Sequence, residues 1–141
     1  MILLDTNVIS EAAKVEPNQA VATYLASLDP DEVFTAAICE AEIRYGLARM
    51  PNGRKRDELT ARMASFFEIG FQDQVLPFDR ICAALYGEIR DAREAAGKPI
   101  SAIDAMIAAT ARAYGAQAIA TRNTRDFSNC GVTLVDPWLT P

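Results

Sequence analysis

Four carboxylates occupy positions where they could do chemistry. Asp5 ends the first apolar run in MILLDTN. Glu42 lies in CEAEIRYG, Asp104 in SAIDAMIAA, and Asp126 in ATRNTRDF. The chain has no histidine. That removes Ser-His-Asp and Cys-His chemistry, paired-histidine ribonuclease chemistry and histidine-ligated zinc. A general base or metal ligand must then be a carboxylate, a Lys, a Cys or a Tyr. With 19 Asp and Glu in 141 residues, carboxylates around a hard cation such as Mg²⁺ or Mn²⁺ are the natural candidates.

Each acid also has a plainer reading. Asp5 could cap the helix expected from Val8, but Thr6 or Asn7 could do that instead and leave Asp5 free for the cleft. On a helical wheel Glu42 falls between an Ile38/Tyr45 group and a Cys39/Ile43/Met50 group. It therefore faces the core side, whereas Glu40 and Arg44 read as a solvent pair. A buried carboxylate needs an Arg, a metal or a wet cleft. Arg49 is the local candidate partner, and Gly46 leaves space beside Glu42. Asp104 fits the last position of an S-x-x-D capping box begun by Ser101, next to an apolar stripe of Ile103, Met106, Ile107, Thr110 and Tyr114. Asp126 and Asn123 sit in a loop of ordinary turn composition. Asp57, Glu58, Glu88, Asp91 and Glu94 lie among Arg residues and read as solvated helix faces. Asp79 reads as a helix cap.

These acids must be positioned by the elements around them. Short apolar runs at Ile2–Leu4, Glu32–Thr35, Gln74–Leu76, Ala116–Thr121 and Val132–Val135 read as strands. They alternate with helical stretches at about Val8–Lys14, Asn18–Leu28, Ala37–Met50, a stretch following Pro51-Asn52-Gly53 to Phe67, Arg80–Ala96 and Ser101–Tyr114. Gly97 with Pro99, and Gly115, are stop signals. Strands alternating with helices predict βαβ units, a parallel sheet and helices on both of its faces. Ligands of such sheets bind beyond the carboxyl ends of the strands. Asp5, Thr35, Asp79, Arg122 and Asn123 all follow a strand closely. No repeat, low-complexity stretch or linker interrupts residues 1–141, so one domain is expected.

Half of the residues are hydrophobic, and no apolar run approaches the roughly 18 residues of a membrane span. The opening residues lack the basic and long apolar regions of a signal peptide. A cytoplasmic protein without membrane attachment is expected. Cys39, Cys82 and Cys130 are an odd number and widely spaced, which reads as buried free thiols in a reducing compartment. The net charge of −5 alone argues against nucleic-acid binding. However, an acidic metal site counts as negative until its cations bind. The basic residues also cluster, at Arg49, Arg54, Lys55, Arg56 and Arg62, and at Arg122 and Arg125.

Taken together and in order, LLDTN, AEIRYG, SAIDAMIAA and ATRNTRDF, with PFD before the long helix and the VDPW tail, resemble the PIN-domain family. The resemblance is to its VapC-type toxins of toxin–antitoxin pairs, on the FitB-like branch. It implies an α/β/α sandwich around a parallel five-stranded sheet and a Mg²⁺-dependent endoribonuclease, with Mn²⁺ able to substitute. In that reading metal-activated water cleaves RNA. Asp5, Glu42, Asp104 and Asp126 would form the catalytic and metal-binding set, and Thr6, Asn7, Thr121 and Asn123 would support it. Many relatives carry Asp where this chain has Asn123; Asp126 would supply that charge. Arg122 and Arg125 would contact RNA phosphates.

The implied partners are a VapB/FitA-like antitoxin, the RNA substrate, a second copy in a homodimer, and DNA in a higher complex with the antitoxin. Tyr24, Met63, Phe66 and Phe67 are candidates for the dimer contact. Two other readings remain: a non-catalytic PIN-like module, and a haloacid-dehalogenase-type phosphatase. The second would want an Asp two residues after Asp5, where this chain has Asn7.

Overall fold

A computed structural model describes residues 1–140. Five strands, β1 (Ile2–Leu4), β2 (Val33–Ala36), β3 (Val75–Leu76), β4 (Ala118–Ala120) and β5 (Thr133–Val135), form one parallel sheet in the order β3-β2-β1-β4-β5. Six helices flank it: α1 (Thr6–Ala12), α2 (Gln19–Ser27), α3 (Ala37–Arg49), α4 (Arg54–Ser65), α5 (Arg80–Ala95) and α6 (Ala102–Ala113). A 3₁₀ turn at Pro30–Glu32 precedes β2, and α4 runs on into a wider π turn at Phe66–Gly70.

The sheet is covered on both faces. Successive side chains of a strand point to opposite sides, yet Leu3 and Leu4 are both buried, as are Ala118, Ile119 and Ala120. Parallel strands buried in this way read as continuous apolar runs, not as an alternation. Helix α6 also buries most of its length, through Ala105, Ile107, Ala108, Ala109, Thr110 and Ala111. Its alanines let it lie close to β2, β4 and α5. Gly97 and Gly115 follow α5 and α6 in the left-handed region (φ 72° and 69°), the conformation that closes a helix with little steric cost for glycine.

The strand order fixes where a site can form. From β1 the chain moves one way to β2 and β3, then crosses back to β4 and β5 on the other side of β1. Beyond the carboxyl ends of β1 and β4 it therefore leaves a crevice. Asp5 follows β1 there, and Thr121 follows β4. The backbone N–H of Asp5 donates to Ala120 O at 3.0 Å, which locks the two ends together.

The expected elements are present with shifted ends. Helix α1 begins at Thr6, two residues early, because Asp5 is its cap. Met63 and Phe67 are buried in the core, while Tyr24 and Phe66 are half-buried against it, so of the four candidate dimer contacts only these two keep exposed surface. Tyr45 is 57% exposed and Ile103 is 38% exposed, so the outer flank of α3 and the start of α6 are not core. The three cysteines are buried and free.

Arg93, on a helix whose Glu88, Asp91 and Glu94 read as a solvated face, is itself buried. It is only 5% exposed. Its Nε donates to Lys98 O at 2.6 Å, and its Nη1 donates to Asp126 O at 2.9 Å and Ser128 O at 2.8 Å. One buried guanidinium thus supplies donors for carbonyls of two loops that lack sheet partners. Replacing it strands those carbonyls out of water, which costs about 1–3 kcal/mol for each group left unsatisfied. Arg93→Met is expected to lower the unfolding free energy by about 3 kcal/mol in urea titration. Arg93→Lys, with one compact ammonium, should recover only part of the loss.

Candidate active site

Three distant segments meet at the crevice. Asp5 comes from the end of β1, Glu42 from the second turn of α3, and Asp104 from the first turn of α6. With Thr6, Asn7, Glu11, Asn123 and a rim of Lys14, Arg122 and Trp138, they line one cleft of about 460 Å³.

Asp5 is the most constrained of the acids. Its Oδ1 accepts the Thr6 N–H at 2.8 Å, which makes it the N-cap of α1. This corrects the expectation that Thr6 and Asn7 would cap that helix in its place: both lie inside the first turn. The Asp5 carboxylate does both tasks, because its other oxygen faces the cleft. Oδ2 accepts from Thr121 Oγ1 at 2.7 Å and from Asn7 Nδ2 at 3.4 Å. Thr121 Oγ1 in turn accepts the Asn123 N–H, and Asn7 Oδ1 accepts the Arg122 N–H. Burial pushes the Asp5 pKa up to about 6 against these hydrogen bonds, and the neighbouring Asp104 and Glu42 charges add to the rise.

Glu42 sits on the border between buried Ile43 and the open side of α3, half-buried. Its Oε1 accepts from Thr6 Oγ1 at 2.6 Å. The ion pair with Arg49 does not form; Arg49 lies over the Tyr45 ring at 5.5 Å, because two helical turns carry it away from Glu42. Gly46 keeps the space beside Glu42 open, with nothing within 4 Å of where its Cβ would be. Glu40 pairs with Arg44, as the wheel implies.

Asp104 is half-buried. Half of the capping box is present: Ser101 Oγ accepts the Asp104 N–H at 3.1 Å. The carboxyl is held above its usual range, first by burial, and then by Asp126 and Glu42; the Ser101 hydroxyl opposes the rise. Asp126 is exposed and near enough to Asp104 to act on it. It lies outside the cleft, however, in an adjoining basic hollow with Arg93, Lys98, Arg125 and Ser128. Arg122 and Arg125 therefore face different hollows. Of the clustered bases on α4, Arg62 donates to Ala13 O, Arg54 pairs with Glu58, and Arg56 donates to Asn52; most of that cluster is tied to local partners.

The donor set fits a hard divalent cation. All of its oxygens are carboxylate, amide or hydroxyl, and Asp5 and Asp104 are both held above their usual range, first by burial and then by neighbouring carboxylate charge, an environment that a cation would relieve. Among the described residues no three such ligands are already closed at coordination spacing, so the acids ring the cleft without forming a preset cage. Three contributors are given no role by the sequence. Glu11 is buried on the cleft wall, where Lys14 first, and then the Asn18 N–H, hold its carboxyl below the usual range. Its spacing one turn before Lys14 was the available signal. Trp138 figures in the sequence only as part of the VDPW tail, with no role at the site, and Lys14 carries no signal beyond its type.

The PIN domain family matches residues 2–131. The chain belongs to the PIN-domain family. It is 42% identical to Toxin FitB of Neisseria gonorrhoeae over 138 residues, 98% of this chain and 99% of that protein. It is 38% identical to VapC ribonuclease Y4jK of Sinorhizobium fredii over 98% of both chains. Among solved structures, FitAB bound to a DNA fragment superposes with a TM-score of 0.91 at 42% identity, covering 100% of this chain and 98% of that one. The phosphatase alternative has no support in these relatives, and position 7 is an Asn bonded to Asp5 where that reading would want an acid.

The raised pKa of Asp5 makes a stability statement. A carboxyl that holds its proton more tightly when folded stabilises the fold below about pH 4. That contribution is lost as pH rises from 3.8 to about 6. In metal-free protein, Asp5→Asn, which keeps the cap acceptor, should therefore be more stable than wild type at pH 7.5, by on the order of 3 kcal/mol at about 1.4 kcal/mol per pKa unit. The gap should close by about pH 4. Thermal unfolding across that range measures it, and a gap independent of pH would contradict the burial of a charged Asp5.

Proposed function

We propose that this PIN-domain protein is a VapC/FitB-type toxin, a Mg²⁺- or Mn²⁺-dependent endoribonuclease working in the cytoplasm. The observation that carries the reading is the meeting of Asp5, Glu42 and Asp104 in one cleft from three distant segments, with Asp5 pushed to about pKa 6. A non-catalytic module would not need to keep this mutual repulsion.

In this reading Asp5 and Asp104 would hold the cation, with Asn123 beside them in the cleft and Asp126 adding its charge from the adjoining hollow. When bound, a divalent cation neutralises charge building on the phosphoryl oxygens and eases ionisation of water. Glu42 Oε2, the oxygen not taken by Thr6, receives a proton from the attacking water. Thr6, Asn7 and Thr121 fix the carboxylate orientations by the bonds described above, so little reorganisation is left for the reaction itself. Lys14 and Arg122 on the rim, and Arg125 beside Asp126, offer donors to the phosphates flanking the cleaved bond.

The partners follow from the same family. The relatives solved with FitA or VapB support an antitoxin for this chain, with DNA bound by the joint complex. An apolar groove of about 570 Å³ adjoins the cleft, between Ala13, Ile43, Leu47, Leu59 and Met63; it is suited to an amphipathic segment of that antitoxin. A homodimer is part of the proposal, and the exposed Tyr45, Ile81 and Ile103 are among the apolar side chains available to it, with Val15, Ile69 and Leu139 the others.

Purified antitoxin-free protein with Mg²⁺ or Mn²⁺ is expected to cleave cellular RNA. Asp5→Asn and Asp104→Asn should each lower the rate about 100-fold or more, the scale of losing one electrostatic contributor in a closed site. Glu42→Gln should lower kcat more than it raises KM. Calorimetric titration with Mn²⁺ should detect binding to wild type and its loss in Asp5→Asn. Absence of cleavage in wild type would overturn the reading; full activity in the variants would overturn the site.

A further inference from the structure

The hydrolytic reading leaves one wall of the cleft without a task. Trp138, the single tryptophan of the chain, lines that wall, and the Arg122 guanidinium lies over its ring at 4.9 Å. Both are held in place. Pro137 is fully buried, the Trp138 N–H donates to Asp136 Oδ1 at 2.9 Å, and the Leu139 N–H donates to Asp136 O at 3.1 Å. The Arg122 N–H donates to Asn7 Oδ1, on the side chain whose Nδ2 reaches Asp5. The layer is thus tied to the metal-site carboxylate through a single residue. Among the described residues Arg122 makes no ion pair, so its charge is open to a ligand.

A flat cation backed by an indole matches one ligand chemistry. Unpaired nucleobases stack on aromatic rings and on guanidinium planes, while the N–H edges of Arg remain free for phosphate. Bases within a duplex are already stacked and cannot reach such a layer. An acidic peptide would meet Asp5, Glu42 and Asp104, and a cationic one would meet Lys14 and Arg122. A nucleotide differs in placing a neutral ring on the layer and its phosphate on Arg122, a cation lining the same cleft as the acids. We propose that Arg122 and Trp138 form a subsite for one unpaired RNA nucleotide beside the scissile phosphate, with the base on the stacked layer and its phosphate on the Arg122 edge. This rests on the ribonuclease reading of the same cleft, and makes the substrate single-stranded at that nucleotide.

Because Trp138 is the only tryptophan, its emission reports the subsite directly. Metal-free full-length protein is titrated with a mixed-sequence single-stranded RNA of about a dozen nucleotides, and binding is followed separately by filter retention. Quenching of Trp138 emission with the same midpoint as retention is expected, with little response to the same RNA annealed to its complement. Trp138→Leu, which keeps an apolar contact with the core, and Arg122→Gln should raise KM for cleavage of that RNA by about tenfold or more, outweighing any fall in kcat. Trp138→Phe should recover most of the loss. Thermal unfolding of each variant separates lost stacking from lost folding.

Retention of RNA without an emission change, no retention at all, an equal response to duplex, or an unchanged KM in the Leu variant would each overturn the subsite. So would an emission change brought about only by a protein partner. The ribonuclease reading fails separately, if wild type quenches on RNA but cleaves nothing when Mn²⁺ is added.

Discussion

Everything at the site depends on a carboxylate being buried where the central strand ends. Asp5 is 4% exposed, and a charge so placed is costly unless it is met by donors or by a cation. Three donors meet it: the first amide of α1, the Thr121 hydroxyl and the Asn7 amide. They fix both oxygens but do not cancel the charge, and the remaining imbalance is visible in the elevated pKa. The sheet order makes this arrangement possible. Only a strand with β2 on one side and β4 on the other can deliver Asp5 against Thr121 at the point where the connections diverge.

The last third of the chain then works largely as a holder for acids that lie elsewhere in the sequence. Thr121 grips Asp5. Asn123 is tied to Thr121, and Asp126 hangs on a turn whose carbonyls are gripped by Arg93 from α5. Arg93 is also near enough to Asp104 to lower its pKa slightly. A buried guanidinium is rarely the most stabilising way to fill a core. Here it satisfies carbonyls of a loop with no sheet partner and places a fixed positive charge behind a cluster of negative ones. Both effects favour the same outcome, acids held close together without the loop springing open.

Much of this was legible in the sequence because the signals were local or periodic. The first strand ends as read, and the other elements are displaced by a residue or two. Asp79 caps α5 as its position implies, accepting the Cys82 N–H. Glu42 was placed by helical periodicity alone, and that places a residue on a face without saying what covers the face. Hence Tyr45 looked like core and is exposed, while Met63 and Phe67 looked available for a dimer and are buried. Nothing in the sequence singled out Arg93, because its helix neighbours are charged and the loop that buries it lies more than thirty residues away. Asp5 as simultaneous cap and site acid was unforeseen because the two roles were weighed as alternatives, whereas a carboxylate has two oxygens and can assign one to each.

Net charge is a poor guide to such a protein for a reason the site makes concrete. A chain at −5 should repel a polyanion, and in bulk solution it does so weakly beyond about 10 Å of screening. Inside the cleft the relevant quantity is local. The carboxylates sit deep, where a bound divalent cation can cancel them, while Lys14 and Arg122 stand on the rim and Lys98 and Arg125 border the neighbouring hollow. In the proposed reading an approaching phosphate would meet the cations first and the acids only once these carried a metal. The acidity of the whole chain would therefore weaken RNA binding by the metal-free protein without abolishing it, since Lys14 and Arg122 still face the cleft, and would weaken it much less in a metal-loaded one. In that reading, charge that opposes RNA binding in the metal-free chain would couple cation and substrate, because each would lower the electrostatic cost of binding the other.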